Sequence, residues 1–162
     1  MRFAKKAISS VVLLIAFPSF AIDCDKYWEY YDGAGKQFNI DPFLLKAVCI
    51  KESQETPGAV NKKNSDMSID YGACQINSFW TDLFENKFSV PMKEVEQSAR
   101  TSIFAGAYVL AYNFNLKGKN LNSLGAYNVG WRKEDQKVRD RYAREVIQLR
   151  NKIAVKCRKD KG

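Results

Sequence analysis

Residues 41–53 read DPFLLKAVCIKES and predict an apolar helix that decides the fold. Asp41 is a favourable N-cap, and Pro42 suits the first helical position because a proline there leaves no backbone N–H unpaired. The helix is predicted to end near Ser53, because a Pro-Gly pair follows it. Since most of its side chains are apolar, we expect other helices to bury it. Glu52 would then emerge from the core at the mouth of a cleft.

The segments on either side of this helix are mainly helical in pattern. Apolar side chains recur at helical spacing in four further segments, which are residues 25–38, 95–115, 121–127 and 134–156. Residues 59–70 are polar and predict a loop or a short irregular hairpin. The apolar residues 72–80 predict the opening of another helix, which Val90-Pro91 would end. No repeat or linker indicates a second domain. We therefore expect a mainly α, α+β fold in which helices surround one buried helix beside a small β or irregular lobe.

The residue composition restricts the available chemistry to carboxylates, hydroxyls and amides. The chain has no histidine, which excludes Ser-His-Asp and Cys-His relays and histidine-ligated metal sites. It also has no Gly-rich phosphate loop and no C-x-x-C pair. We expect neither a metal nor an organic cofactor. Glu52 is the leading candidate, because apolar surroundings raise a carboxyl pKa and let the protonated group donate to a leaving oxygen.

The first 21 residues have the pattern of a secretion signal. Three basic residues precede an apolar run at 7–17, and a small-x-small motif ends at Ala21. Cleavage there would leave residues 22–162 as an exported, periplasmic domain without stable membrane insertion, because no later segment is long and apolar enough to span a bilayer. The formal charge of +8 suits an anionic polymer such as the cell wall. Nucleic acid is not an expected partner, since no binding motif is present.

The four cysteines are consistent with export to an oxidising compartment, where they predict two disulfides. Three pairings are possible, and the sequence does not choose among them. Cys24 and Cys157 lie near the two ends of the expected domain, and domain termini are often close together. Pairing them leaves Cys49 with Cys74, for which two buried free thiols are the alternative.

Three short motifs together resemble a known enzyme family. They are IKES at residues 50–53, DYGACQIN at 70–77 and GAYNVG at 125–130. Their combination resembles the family 1 lytic transglycosylases, enzymes of lysozyme-like fold that cleave peptidoglycan. The resemblance covers nearly the whole expected domain and is closest to small members with a signal peptide that serve type III and type IV secretion, conjugation or type IV pili. It implies a peptidoglycan glycan strand as substrate and components of such an assembly as partners.

The resemblance assigns Glu52 as the catalytic acid and base. One carboxyl suffices in such enzymes, because the 6-hydroxyl of N-acetylmuramic acid is the nucleophile and closes a 1,6-anhydro product. Gln75 matches a residue that contacts the sugar near the scissile bond, and Tyr127 matches a tyrosine whose hydroxyl lies close to the catalytic carboxyl. The full set of implied substrate-binding residues is Asn61, Gln75, Asn77, Tyr127 and Asn128.

A second resemblance keeps other reactions open. Residues 68–80 are similar to the central segment of animal c-type lysozymes, in which an aspartate directly before Tyr-Gly is the second catalytic carboxylate. Asp70 occupies that position, so a retaining hydrolase that uses Glu52 and Asp70 is one alternative. A wall-binding assembly factor that has kept the fold without the activity is another. The Ala-Tyr-Asn-x-Gly motif is not a feature of c-type lysozymes and favours the transglycosylase.

Overall fold

The computed structural model describes residues 21–159, so the predicted signal sequence lies outside the described residues except for Ala21. Six α-helices and one small sheet form the described part of the chain. The helices are α1 (Trp28–Phe38), α2 (Pro42–Ser53), α3 (Met92–Gln97), α4 (Ala99–Lys117), α5 (Leu121–Val129) and α6 (Gln136–Lys159). The strands are β1 (Val60–Asn61), β2 (Asp70–Tyr71) and β3 (Ile76–Asn77). Within residues 21–159, no helix combines the length and the apolar character that crossing a membrane requires.

Helix α2 has the bounds that its sequence predicts. The carboxylate of Asp41 accepts a hydrogen bond from the backbone N–H of Phe43, and Pro42 is the first helical residue. Five consecutive residues, 45–49, are buried. Because five residues cover more than one helical turn, α2 is enclosed on every side in this stretch. The predicted mainly α fold around a buried helix is therefore confirmed, with α1, α4 and α6 packed against α2.

Close packing of α5 against α6 brings two distant parts of the chain to the end of α2. A side chain on Gly125 would place its Cβ only 2.4 Å from the carbonyl oxygen of Arg139, so the two backbones approach as closely as glycine permits. Tyr127 and Asn128 follow Gly125 on α5, and Tyr142 follows Arg139 on α6. The glycine thus sets the distance between the two helices that carry side chains to the cleft.

Two predicted helices differ from the structure. The pattern over 95–115 belongs to two helices, because Ser98 is extended between α3 and α4 and its hydroxyl accepts from the backbone N–H of Thr101 as an N-cap. Residues 72–80 do not form one helix, since Gly72 and Gln75 both have positive φ and Asn77 lies in a strand. Helical structure begins only with the 3₁₀ turn Ser78–Trp80, which continues into the short π-helix Leu83–Lys87.

The polar segment forms a three-stranded antiparallel sheet in the order β1-β2-β3. Its register places Asn61 opposite Asp70 and Asp70 opposite Asn77. The three side chains therefore form one row across the sheet, because directly opposite residues of antiparallel strands lie on the same face.

Both disulfides are present. Cys24 pairs with Cys157 and joins the two ends of the domain, and Cys49 of α2 pairs with Cys74 in the loop before β3. The second bridge ties the buried helix to the β lobe three residues before Glu52.

Candidate active site

Glu52 lies at the C-terminal end of α2, partly buried in the wall of an open pocket of about 200 Å³. Its carboxylate accepts a hydrogen bond from the hydroxyl of Tyr142 on α6. The pocket is formed by α2, α5 and α6, and the residues that line it are Lys51, Glu52, Asn128, Val138, Arg141, Tyr142 and Glu145. Of the residues predicted for the site, this pocket brings together Glu52 and Asn128.

The surroundings of Glu52 raise its pKa to about 7. Burial is the main cause, because removal from water disfavours the charged carboxylate. The hydrogen bond from Tyr142 acts in the opposite direction, and the negative charge of Asp70 raises the pKa further, while Lys51 lowers it. A carboxyl with a pKa near 7 is partly protonated at neutral pH and can both donate and accept a proton there.

Tyr142 is a site residue that the sequence did not reveal. Its position on α6 fits a core stripe, and it is buried as such a stripe requires. One signal in the sequence could have indicated its role. A tyrosine in a buried stripe needs a hydrogen-bond partner for its hydroxyl, which points to a polar group close to that part of α6. Burial and the neighbouring charge of Glu52 both raise the pKa of Tyr142, so the hydroxyl remains a proton donor to the carboxylate.

Tyr127 lies near the carboxylates but bonds to the backbone. Its hydroxyl donates to the carbonyl oxygen of Cys74 at 2.8 Å. Burial, followed by the charges of Glu52 and Asp70, raises its pKa well above the usual value. The charges of both acids therefore act on the Tyr127 hydroxyl, whereas the hydrogen bond to Glu52 comes from Tyr142.

Asp70 is held by three side-chain amides. Its Oδ2 accepts from Asn61 at 2.9 Å and from Asn64 at 2.8 Å, and its Oδ1 accepts from Asn77 at 2.8 Å. Three amide donors thus fix the orientation of the Asp70 carboxylate, whose two oxygens are both hydrogen-bond acceptors. Asn61 and Asn77, predicted as substrate contacts, thus use their amide N–H groups on Asp70 in the structure.

Gln75 belongs to a loop that is fastened at several points. Its side-chain amide donates to the carbonyl oxygens of Gly72 at 2.9 Å and Ala59 at 3.2 Å, and its backbone has a φ of 51°. The preceding residue, Cys74, is bonded to α2 by its disulfide, and its N–H donates to Ser102 of α4 at 3.0 Å. The loop is thereby held at a defined position relative to Glu52.

A mainly helical domain with a small antiparallel sheet and a protonatable glutamate in its pocket is typical of lysozyme-like enzymes that cleave glycosidic bonds. Residues 29–149 match the family model described as the transglycosylase SLT domain. The chain therefore belongs to this family of lytic transglycosylases.

Curated relatives agree with this assignment. The chain is 34% identical over 120 residues to invasion protein IagB of Salmonella typhimurium, and the aligned region covers 74% of each protein. It is 33% identical over 131 residues to protein IpgF of Shigella flexneri, covering 80% of this chain and 84% of IpgF. It is also 28% identical over 144 residues to a peptidoglycan-binding-like protein of Escherichia coli O157:H7, covering 86% of this chain and 83% of that protein.

Proposed function

We propose that the protein cleaves the β-1,4 bond between N-acetylmuramic acid and N-acetylglucosamine in peptidoglycan and releases a 1,6-anhydromuramic product. The observation that carries the proposal is the carboxyl of Glu52, which has a pKa of about 7 in the wall of a pocket. Membership of the lytic transglycosylase family and similarity to a peptidoglycan-binding-like protein support the same substrate.

In the proposed reaction Glu52 acts twice. Its protonated carboxyl donates to the glycosidic oxygen, and the bond from that oxygen to C1 of the muramic residue breaks, leaving positive charge on the sugar ring. The carboxylate then takes the proton of the muramic 6-hydroxyl while this oxygen bonds to C1. Glu52 is protonated again at the end, and no second protein nucleophile is needed because the substrate supplies one already in place.

Neighbouring residues have supporting roles in this proposal. Tyr142 orients the Glu52 carboxyl through its hydrogen bond. Asp70, held in place by its three amide donors, stabilises the positive charge that develops on the sugar. Asn128 borders the pocket and is free to contact the glycan, and Gln75 with Tyr127 shapes the loop beside the scissile bond.

Hydrolysis with retention is the second candidate, favoured by the action of the Asp70 charge on Glu52. A nucleophilic Asp70 would need a free oxygen to bond to C1 at a carboxyl separation of about 5 Å. Both of its oxygens already accept amide hydrogen bonds, which weakens them as nucleophiles. The electrostatic role of Asp70 in the transglycosylase reaction is therefore the better-supported one.

Mass spectrometry of a peptidoglycan digest tests the proposal. Anhydromuropeptides are one water lighter than the reducing-end products of a hydrolase, and we expect the lighter species. Glu52→Gln should abolish their release, whereas Glu134→Gln, at an exposed position outside the pocket, should not alter it. Reducing-end products would establish the hydrolase instead, and an undiminished release by Glu52→Gln would exclude Glu52 as the acid.

We further propose that residues 1–21 are removed on export and that residues 22–162 act in the periplasm, where they open the wall locally for a secretion, conjugation or pilus assembly. Two disulfides are consistent with an oxidising compartment, and one relative is named an invasion protein. Intact-mass measurement of the protein from a periplasmic extract should give a chain beginning at Ile22. A full-length chain in the membrane fraction would contradict this proposal.

A further inference from the structure

One face of α6 borders the pocket beside Glu52. Val138, Arg141, Tyr142 and Glu145 follow one another at intervals of three, one and three residues, which places them on a single helical face. Tyr142 is buried and Val138 is partly buried, whereas Arg141 is exposed. Arg141 lines the pocket, and its charge is one of those that lower the pKa of Glu145, one helical turn further along α6. Among residues 21–159, no hydrogen bond or ion pair within 4.0 Å engages its guanidinium. Because the described residues leave its N–H groups without an acceptor, the guanidinium is available to a ligand at the edge of the pocket.

The other charges of this pocket are balanced. Lys51 and Glu145 form an ion pair at 2.6 Å, so their charges cancel, and the ammonium of Lys51 also lies 5.4 Å from the centre of the Tyr142 ring. Glu52 is neutral when it is protonated and ready to donate. Asp70 does not line the pocket and is satisfied by its amide donors. Arg141 therefore leaves the pocket with one net positive charge in the state that begins the reaction.

We propose that Arg141 binds a carboxylate carried by a muramic acid residue of the glycan next to the scissile bond. In a strand of alternating amino sugars, the N-acetylglucosamine residues are neutral and only the muramic residues carry acidic substituents. The carboxylate is either that of a peptide-free lactyl group or one of the acidic stem peptide. A guanidinium suits this ligand because its planar N–H groups can contact both carboxylate oxygens at once.

This inference rests on the proposed function, since it specifies which part of the wall polymer is recognised at the same pocket. Arg141 would act on binding and not on bond breaking, because it does not contact the Glu52 carboxyl. Arg141 would position the glycan so that a muramic residue with its acidic substituent lies beside α6. It would also give the enzyme a lower KM for peptidoglycan than for a neutral polymer of N-acetylglucosamine.

Steady-state cleavage of purified wall by wild type, Arg141→Gln and Arg144→Gln tests the inference. Arg144 lies on the same helix, is exposed and does not line the pocket, so its substitution removes an equal charge elsewhere. We expect Arg141→Gln to raise KM about five- to tenfold with kcat almost unchanged, as the loss of a charged hydrogen bond predicts. Arg144→Gln should leave both constants near their wild-type values.

Chemical variants of the substrate identify the ligand. On wall whose carboxylates have been converted to amides, wild type and Arg141→Gln should have the same KM. Peptide-free strands carry the lactyl carboxylate in place of the stem peptide. A difference on native wall that is lost on these strands assigns Arg141 to a carboxylate of the stem peptide, and one that persists shows that Arg141 binds the lactyl carboxylate as well. Arg141→Lys keeps the charge without the planar group and should recover part of the affinity.

Two results would overturn the inference. One is an unchanged KM for Arg141→Gln on native wall, and the other is the same rise in KM on amidated wall. Failure of the proposed function is distinguishable, because wild type itself would then release either no muropeptides or reducing-end products from native wall. Thermal unfolding of each variant establishes that it is folded when the constants are measured.

Discussion

Tyr142 donates a hydrogen bond to the carboxylate of Glu52, from which it is separated by 90 residues of sequence. This contact joins the end of the buried helix α2 to the long helix α6. It is also one of the two main influences that oppose each other at the acid, since burial raises the pKa of Glu52 and the hydrogen bond lowers it. The balance between them leaves the carboxyl titrating near neutral pH.

Removal of this hydroxyl should alter both rate and pH dependence. In Tyr142→Phe the pKa of Glu52 should rise, because the hydrogen bond that stabilises the charged form is lost. The pH at which activity declines on the alkaline side should rise with it, and kcat should fall about tenfold because the carboxyl is less well oriented. The measurement is the pH profile of peptidoglycan cleavage, with the exposed Tyr112→Phe as the control. A Tyr142→Phe profile that coincides with wild type would contradict this prediction.

Glu52 should also make the stability of the protein depend on pH. Burial raises its pKa from the ordinary value of 4.5 to about 7. Between these pH values the folded protein binds more protons than the unfolded chain, so the free energy of unfolding falls as pH rises through this window. Glu52→Gln has no such loss and should be about 1–3 kcal/mol more stable than wild type at about pH 8, with a smaller difference at about pH 5.

Denaturant unfolding of both proteins at the two pH values measures this effect. The glutamine can still accept a hydrogen bond from Tyr142, so the comparison isolates the charge. An equal difference between the two proteins at both pH values would show that Glu52 is not the group responsible.

Asp70→Asn should shift the pH dependence of activity in the opposite direction to Tyr142→Phe. The charge of Asp70 raises the pKa of Glu52, so its removal should lower this pKa and move the alkaline decline to lower pH. Turnover should fall by about tenfold to a hundredfold, because stabilisation of the sugar cation is lost. Asp66→Asn removes a charge from an exposed position in the same segment and should have no such effect. A change of product from anhydro to reducing-end species would instead assign a different chemical role to Asp70.

The two disulfides should contribute differently to stability and activity. The chain-entropy model gives about 5 kcal/mol for the bridge Cys24–Cys157 and about 3.5 kcal/mol for Cys49–Cys74, because the first closes the longer loop. The second bridge, however, holds the residue whose carbonyl accepts from Tyr127. We therefore compare two double variants, each with one bridge replaced by alanines. At a temperature where both are folded, the variant without Cys49–Cys74 should lose more activity than the variant without Cys24–Cys157.

Unfolding midpoints and cleavage rates of the two double variants are the required measurements. Equal residual activities, with both proteins folded, would mean that the bridge beside Glu52 has no positioning role.

Local signals in the sequence predicted the helix α2 and its cap, because Asp41 and Pro42 act on the first turn that follows them. They were less successful at 72–80, where the backbone of Gln75 is held in a left-handed conformation by bonds to Gly72 and Ala59. The same signals predicted one helix over 95–115, where the structure has α3 and α4. The spacing of apolar residues cannot distinguish a serine N-cap such as Ser98 from a serine within a helix.

The order of residues alone was sufficient to single out Glu52, the four cysteines and the buried helix, since these depend on residue type and near neighbours. The pKa of Glu52, its hydrogen bond from Tyr142 and the position of Arg141 at the pocket were decided only when α2, α5 and α6 came together. The physical reason is that burial and electrostatic interaction depend on distances in space, and residues 90 positions apart acquire a short distance only through packing of the whole chain.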